Sequence, residues 1–521
     1  MPPPGGSRMM RPMRGGVTSG QARRGSLGVD VVGSLNLVGS LVKPLGLVFL
    51  VPAAVALGYG EPVWPFLASG LVTSGLGAGV ELLTDGKERV GAREGYLVVA
   101  LIWLLVAVFG ALPYLLSEPQ LSNPVDAFFE SMSGFSTTGA SVLTDVEGLS
   151  RAHAMWRQLT AWLGGLGIIV LFLAVLPRLN VGGRQALFRT EMAGPELGLE
   201  ATIRETARRF VALYVAITAI EILVLATLGW TGVDRQMDLF GAVAHAFATI
   251  ATAGFSPEAR SIEPFAAPTQ WVIAAFMVVA GTNFALLYLG IVRRRPSALT
   301  RDEELRVYLL LLAAASFVVF VELVTEGIFS GEEAARHAVF NTVSMMTTTG
   351  FASADFNEWT ALTALVLFGV TLLSASAGST SGSIKLVRHV VIAKMLGREI
   401  RHTVHPELIS PLRLNGTVVD ERTLRAIIVF VFLYLGLCAA GAVTILIDSS
   451  LRGLPLTAFQ ALADSATVLG GVGPGLGFAG PMGSFEPFSD FATLVLTAEM
   501  YLGRLEIIPV LVLFTRTFWK G

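Results

Sequence analysis

Apolar runs of about the 20 residues that cross a bilayer recur along the whole chain, separated by polar or glycine-rich breaks. They predict spans near residues 35–58, 62–83, 96–116, 155–176, 210–230, 270–292, 307–329, 360–396, 426–447 and 491–514. After the first pair, the other eight form four couples, and each couple encloses a shorter apolar stretch: 125–135, 239–250, 334–346 and 456–469. A dozen or so residues cannot span, so these stretches predict half-membrane helices. Each runs into a glycine-centred turn: Ser-Thr-Thr-Gly-Ala at 136–140, Ala-Thr-Ala-Gly-Phe at 251–255, Thr-Thr-Thr-Gly-Phe at 347–351 and Gly-Gly-Val-Gly-Pro at 470–474. A period of roughly one hundred residues is too long for a solenoid and points to a fourfold internal repeat. The expected fold is an all-α polytopic membrane protein. Two N-terminal spans (35–83) precede four helix, pore-loop, helix repeats (96–177, 207–292, 305–398 and 424–517) around one pseudo-fourfold pore.

Composition agrees. Of 521 residues, 53% are hydrophobic and 15% charged, and the mean hydropathy is +0.66, far too apolar for a soluble protein of this size. A formal net charge of -2 supplies no global basic field, so no nucleic-acid partner is expected. The single Cys438 rules out an intrachain disulfide and sits in an apolar run, where packing is its expected role. Residues 1–34 are rich in Gly, Pro, Ser and Arg and too poor in apolar residues to bury a core, which predicts a disordered cytoplasmic arm. The apolar run that follows is longer than a signal-peptide core and reads as the first anchor.

Where the charges fall sets an orientation. With the arm in the cytoplasm, the connections on its side carry Lys87, Arg89 and Arg93, then Arg178, Arg184, Arg189, Arg204, Arg208 and Arg209. Further along, the same side takes Arg293, Arg294, Arg295, Arg301 and Arg306, then Lys394, Arg398, Arg401, Arg413, Arg422 and Arg425. The opposite side carries the four turns together with acidic residues such as Asp126, Asp145, Glu147, Asp238, Glu258, Glu332, Asp355 and Asp490. The positive-inside rule then places both termini in the cytoplasm and opens the turns outward. The acidic rim concentrates cations at the mouth, or caps the N-termini of the short helices, as Asp126 and Asp238 could.

A half-membrane helix entering from outside aims its partially negative C-terminus at the membrane middle, which favours a cation there. Glycine permits positive φ, so successive carbonyls can face one axis without Cβ clashes. Small Thr and Gly residues also serve as packing contacts between membrane helices, but four such pairs at equivalent places in a repeat point to a filter.

At this point the chain resembles a family. The stretches Phe-Phe-Glu-Ser-Met-Ser-Gly-Phe-Ser-Thr-Thr-Gly-Ala-Ser (128–141), Gln-Leu-Thr-Ala-Trp-Leu-Gly-Gly-Leu-Gly-Ile-Ile-Val-Leu (158–171), Ala-Gly-Ser-Thr-Ser-Gly-Ser-Ile-Lys (377–385) and Gly-Arg-Leu-Glu-Ile (503–507) resemble the Trk/Ktr/HKT superfamily of potassium transporters. The two extra N-terminal spans and Gly-Gly-Arg-Gln-Ala-Leu-Phe-Arg-Thr-Glu-Met (182–192) resemble the TrkH-type subunit more than the Ktr type. The resemblance implies a potassium-uptake protein of the bacterial inner membrane with potassium as the transported, filter-bound ion and no organic cofactor. It also implies a homodimer with one pore per protomer, gated by a cytoplasmic TrkA-type nucleotide-binding ring. The family's coordinating carbonyls precede the filter glycines, which here implicates Thr137 and Thr138 before Gly139, Thr252 and Ala253 before Gly254, Thr348 and Thr349 before Gly350, and Gly471 and Val472 before Gly473. The fourth turn departs from the family pattern, which usually has Asn shortly before Gly-Pro-Gly, and the departure is expected to loosen that quadrant.

Two features suggest gating. Residues 374–383 contain only Ser, Ala, Gly and Thr, and Lys385 follows; no other span is interrupted so thoroughly. Such residues divert backbone hydrogen bonds and break a helix, making Gly378, Ser379, Thr380, Ser381, Gly382 and Lys385 candidates for an intramembrane gating loop. A close helix crossing is the alternative. In the last span Arg504 requires a partner, since a charge at depth costs at least ~2.5 kcal/mol. It is read as a pore-facing barrier below the filter, as an interhelical tie to a carboxylate or carbonyls, or as both. Glu130 is expected in a hydrogen-bonded structural role, with an ion pair to another repeat as the alternative, and His245 and His337, at similar places in two pore helices, in packing.

Other classes fit less well. An ion-coupled secondary transporter with inverted repeats, or a less selective potassium and sodium pathway, remains the alternative transport reading. An enzyme is not expected: glycines 470–477 superficially resemble a dinucleotide fingerprint but contain Pro474 and lack a βαβ setting.

Overall fold

The computed structural model describes residues 28–84, 91–174, 203–407 and 410–520. Most of the N-terminal arm, Lys87, Arg89, Arg178, Arg184, Arg189 and the motif at 182–192 lie outside the described residues. The arm's expected end at residue 34 is corrected, because the first helix already begins at Val31, where the Asp30 side chain accepts from the Gly33 amide at 2.9 Å. Helix Val31–Val42 passes through a tight turn at Lys43–Leu47 into Leu50–Tyr59, and Trp64–Leu83 returns beside it. The two antiparallel arms touch backbone to backbone. A Cβ on Gly39 would stand 2.8 Å from the Gly77 carbonyl oxygen, and one on Gly77 2.6 Å from the Lys43 amide.

Four helix, turn, helix units follow. The first has Ala92–Gly110, pore helix Pro124–Phe135 and Arg151–Ala174. Next come Ile203–Trp230, Leu239–Ala251 and Ala267–Ala280. The third has Glu303–Thr325, Gly331–Met346 and the divided pair Ala361–Leu373 and Leu386–Val404. The fourth has Glu421–Arg452, Ala458–Gly470 and Asp490–Arg504. Polar side chains start the pore helices: Asn123 accepts from the Val125 amide at 2.9 Å, Asp238 from Gly241 at 2.5 Å, and Thr457 forms a capping box with Gln460. Six described helices are long and apolar enough to cross a membrane, and a seventh span is counted if a pair bent by 102° is taken as one.

That bent pair is a difference from the sequence reading, in which only the eighth span is strongly interrupted. The sixth also breaks, between Ala267–Ala280 and Phe284–Leu287. Asn283 caps the new start by accepting from the Ala285 amide at 2.8 Å. The tenth breaks as well, after Arg504, where Glu506 and Ile507 both take φ of 59° before Ile508–Leu511. The breaks in the sixth and eighth spans free backbone groups that bond one another: the Phe284 amide donates to Gly378 at 3.0 Å and the Ser376 amide to Gly281 at 3.1 Å.

The four units close into a ring. Each pore helix packs between the second helix of its own repeat and that of the preceding one; the first pore helix packs against Asp490–Arg504 of the fourth. Beyond the pore helices the seams are hydrogen-bonded in the same cyclic order. Arg157 donates to the Ser256 carbonyl at 3.0 Å between repeats one and two, and the Ile262 amide to Ala352 at 2.9 Å between two and three. Asn357 and Gly477 exchange bonds of 2.9 and 3.0 Å between three and four, and the Phe485 amide donates to Ser141 at 2.9 Å between four and one.

At the first seam Arg157 is paired with Glu130 at 2.5 Å, both buried, and lies 3.6 Å from the centre of the Phe255 ring. Removing one partner of such a pair strands the other charge, a loss of ~3–5 kcal/mol. Arg157→Ala should therefore lower the melting temperature of the detergent-solubilised protein substantially. The double change Glu130→Gln with Arg157→Met, which removes both charges, should lose less.

Candidate functional site

Counted back from Gly139, Gly254, Gly350 and Gly473, the four turns share one backbone course. The residue two before each glycine is left-handed: Thr137 (φ 56°), Thr252 (51°), Thr348 (57°) and Gly471 (67°). The glycines are left-handed too, at 80°, 68°, 82° and 101°. In between, the amides of Thr138, Ala253, Thr349 and Val472 donate back to Ser133, Ala248, Ser344 and Thr467 at 2.8–2.9 Å, which ties each turn to its own pore helix. The expected loosening of the fourth quadrant is not seen in the backbone, because Gly471 takes the left-handed conformation that three threonines adopt elsewhere. For a β-branched residue that conformation is strained by ~1–3 kcal/mol.

The turns meet around a single axis. A Cβ added to Gly139 would collide with the carbonyl oxygen of Ala253, one on Gly254 with that of Thr349, one on Gly350 with that of Val472, and one on Gly473 with that of Thr138, at 2.6 Å. The order runs one, two, three, four and back to one. Hydroxyls in the turns are engaged locally: Thr138 Oγ1 with Ser136 Oγ at 2.7 Å, Thr349 Oγ1 with Thr347 Oγ1 at 2.8 Å, and Thr252 Oγ1 donating to Ala251 at 2.7 Å. Among the described residues no protein donor reaches the carbonyl oxygens of Thr138, Ala253, Thr349 or Val472. These four carbonyls belong to fully buried residues, so a buried ligand beside them would find acceptor oxygens not already bonded.

Directly against this ring lies the segment between Leu373 and Leu386. The Gly382 amide donates to Thr348 Oγ1 at 2.8 Å, Thr380 Oγ1 donates to Ile250 at 3.1 Å, and a Cβ on Gly382 would strike the Gly470 carbonyl. Internally, Ser374 Oγ donates to Gly382 at 2.7 Å, Ser379 Oγ bonds Ser381 Oγ at 2.6 Å, and the Lys385 ammonium bonds the Ser381 carbonyl and hydroxyl. The Glu304 carboxylate accepts from the Ala377 amide at 2.7 Å and the Val387 amide at 3.1 Å, so one side chain holds both ends of the segment.

Arg504 resolves toward the tie. It donates to the carbonyls of Thr380 at 3.2 Å and Gly164 at 2.9 Å, buried between the loop and the first repeat. The neighbouring acids bond elsewhere: Glu506 pairs with Arg388 at 2.9 Å and Glu499 accepts from Ser465 at 2.9 Å. His245 and His337 do not occupy matching places. The residue in register with His245 is Asn341, nine before its glycine, and both histidines are hydrogen-bonded, to Ser256 at 3.1 Å and Ser353 at 2.8 Å. Aligning the four repeats on their glycines would have revealed that register. At the acidic face, burial and the carboxylates of Asp490 and Glu486 raise Asp126 above the usual range, and burial with Glu147 raises Glu258.

Four helix, turn, helix units closed around one axis define a multi-pass membrane transport protein, not an enzyme. The chain belongs to the TrkH family of cation transport proteins, whose profile matches residues 65–520. It is 33% identical over 494 residues to the Trk system potassium uptake protein TrkH of Halomonas elongata, covering 93% of this chain and 98% of that one. It is likewise 33% identical over 500 residues to the TrkH of Escherichia coli, with the same shares. The fold superimposes on the crystal structure of the potassium transporter TrkH from Vibrio parahaemolyticus with a TM-score of 0.84 and 29% identity, over 94% of this chain and 100% of that chain.

The interlocked glycines carry a stability consequence. Gly350→Ala places a Cβ against the Val472 carbonyl at positive φ and should lower the melting temperature sharply. Gly369→Ala, where a Cβ meets nothing within 4 Å, should be neutral or gain up to ~1 kcal/mol from helix propensity.

Proposed function

We propose that this chain takes potassium into the cell across the bacterial inner membrane, with both termini cytoplasmic. The filter is the ring of carbonyls of Thr137, Thr138, Thr252, Ala253, Thr348, Thr349, Gly471 and Val472, positioned by the four glycines. The observation that carries this reading is the cyclic interlock of those glycines with the unpaired carbonyls of the next repeat. The potassium uptake named for the relatives supports the choice of ion. Residues 374–385 are the gate; the reading is supported by their near-complete burial, their contacts with two of the turns, and the bonds from Arg504 and to Glu304 that hold them. Arg504 adds a positive charge beside the pathway and opposes cation leak while the loop is shut. In the working assembly the chain is a homodimer, and a cytoplasmic TrkA-type nucleotide-binding ring acts on the gate through the basic connections.

Purified protein in liposomes should pass potassium and rubidium down their gradients well ahead of sodium. Movement of neither ion, with or without the cytoplasmic ring, would overturn the reading. Deleting 377–382, or the milder Arg504→Ala, should raise partner-free flux several-fold, read as rubidium uptake per protein. Unchanged flux in both variants would leave these residues only a packing role.

A further inference from the structure

Nine residues before each filter glycine the pore helix carries a fully buried polar side chain: Glu130, His245, Asn341 and Asp464. Every one of them reaches past the turn to the strand that leaves it. Glu130 accepts from Ser141 Oγ at 3.1 Å and the Val142 amide at 3.2 Å. His245 Nε2 meets Ser256 Oγ at 3.1 Å. Asn341 donates to Ser353 Oγ at 3.0 Å and accepts from the Ser353 amide at 3.3 Å, and Asp464 Oδ1 accepts from the Leu476 amide at 2.8 Å. These partners stand two or three residues after the glycine. The carbonyls before the glycine are thus enclosed in a short hydrogen-bonded loop and cannot splay without breaking its closing bond.

The four closures are chemically unlike. Glu130 is reinforced by Arg157, whereas Asp464 has one bond, and its Oδ2 has no partner among the described residues. Turns one to three also gain stiffness from their own hydroxyls. The fourth turn has none; Asp464 is the side chain of its own pore helix that ties it, and Asn357 of the third repeat holds the next residue along, Gly477.

We infer that Glu130, His245, Asn341 and Asp464 are positioning residues that set the spacing of the carbonyl ring, and that Asp464 is the pore-helix side chain that does so in the fourth quadrant. The inference rests on the filter reading. A cage held at the potassium radius discriminates against the smaller sodium ion only if its oxygens cannot follow that ion inward. Loss of the closing bond should therefore show as lost discrimination before lost flux.

The experiment compares rubidium and sodium flux in proteoliposomes for the unaltered chain, Asp464→Ala, Asp464→Asn and Gly473→Ala. Asp464→Ala should lower the rubidium to sodium ratio about tenfold. Asp464→Asn, whose amide oxygen still accepts from Leu476, should restore most of it. A folded Asp464→Ala protein with an unchanged ratio, while Gly473→Ala lowers it, would overturn the inference and leave the filter intact. Unchanged ratios in both would sink the filter reading itself. If Asp464→Ala fails to fold, Asn341→Ala and His245→Ala apply the same criterion in the second and third quadrants.

Discussion

Everything in the membrane-embedded core depends on four missing methyl groups. At Gly139, Gly254, Gly350 and Gly473 the neighbouring repeat's backbone occupies the space a Cβ would need, so the four turns interlock instead of merely facing one another. The pore helices are then wedged between successive repeats, and the seams beyond them have fixed partners. Covalently there is one chain with an open beginning and end; non-covalently there is a closed cycle in which the fourth unit touches the first.

The same constraint explains how unlike turns keep one geometry. The backbone needs two left-handed residues separated by one, and three repeats impose the first of these on threonine. That strain persists because the returning amide bonds and the interlocked neighbour over-determine the conformation. The fourth repeat reaches the same course through Gly471. The fourth turn thus differs from the other three in its side chains but not in the path of its backbone.

Much of this was legible in the chain, because the strongest signals were long or repeated. Apolar length predicted the long helices, although only six of the described ones, or seven with the bent pair, are long and apolar enough to cross against ten expected spans, and a glycine turn marked each couple. The run of small residues at 374–383 announced its own break. The breaks at 281–283 and 505–507 were not legible. Their signals are short, Gly281-Thr282-Asn283 at the first and Gly503 with Pro509 around the second, and are easily lost inside long apolar runs; partners from elsewhere, such as Gly378 for the Phe284 amide and Arg388 for Glu506, hold them. Arg504 was left with two readings since helical geometry could exclude Glu499 and Glu506 as local partners but could not supply the carbonyls of Gly164 and Thr380. The buried quartet was hidden by its variety: a glutamate, a histidine, an asparagine and an aspartate share no residue type, only a distance from a glycine.

The bond from the Gly382 amide to the Thr348 hydroxyl makes the segment at 374–385 and the ring of turns parts of one equilibrium. Thr348 holds its strained conformation with the loop bonded to it, and any movement of the loop removes that bond. An ion that binds the ring better in one loop position than in the other must shift the loop by the same free energy with which the loop shifts its binding. If the segment is the gate proposed above, a partner acting on it and an ion on the ring would act on opposite ends of one linkage, and the concentration of the ion would itself regulate the open state.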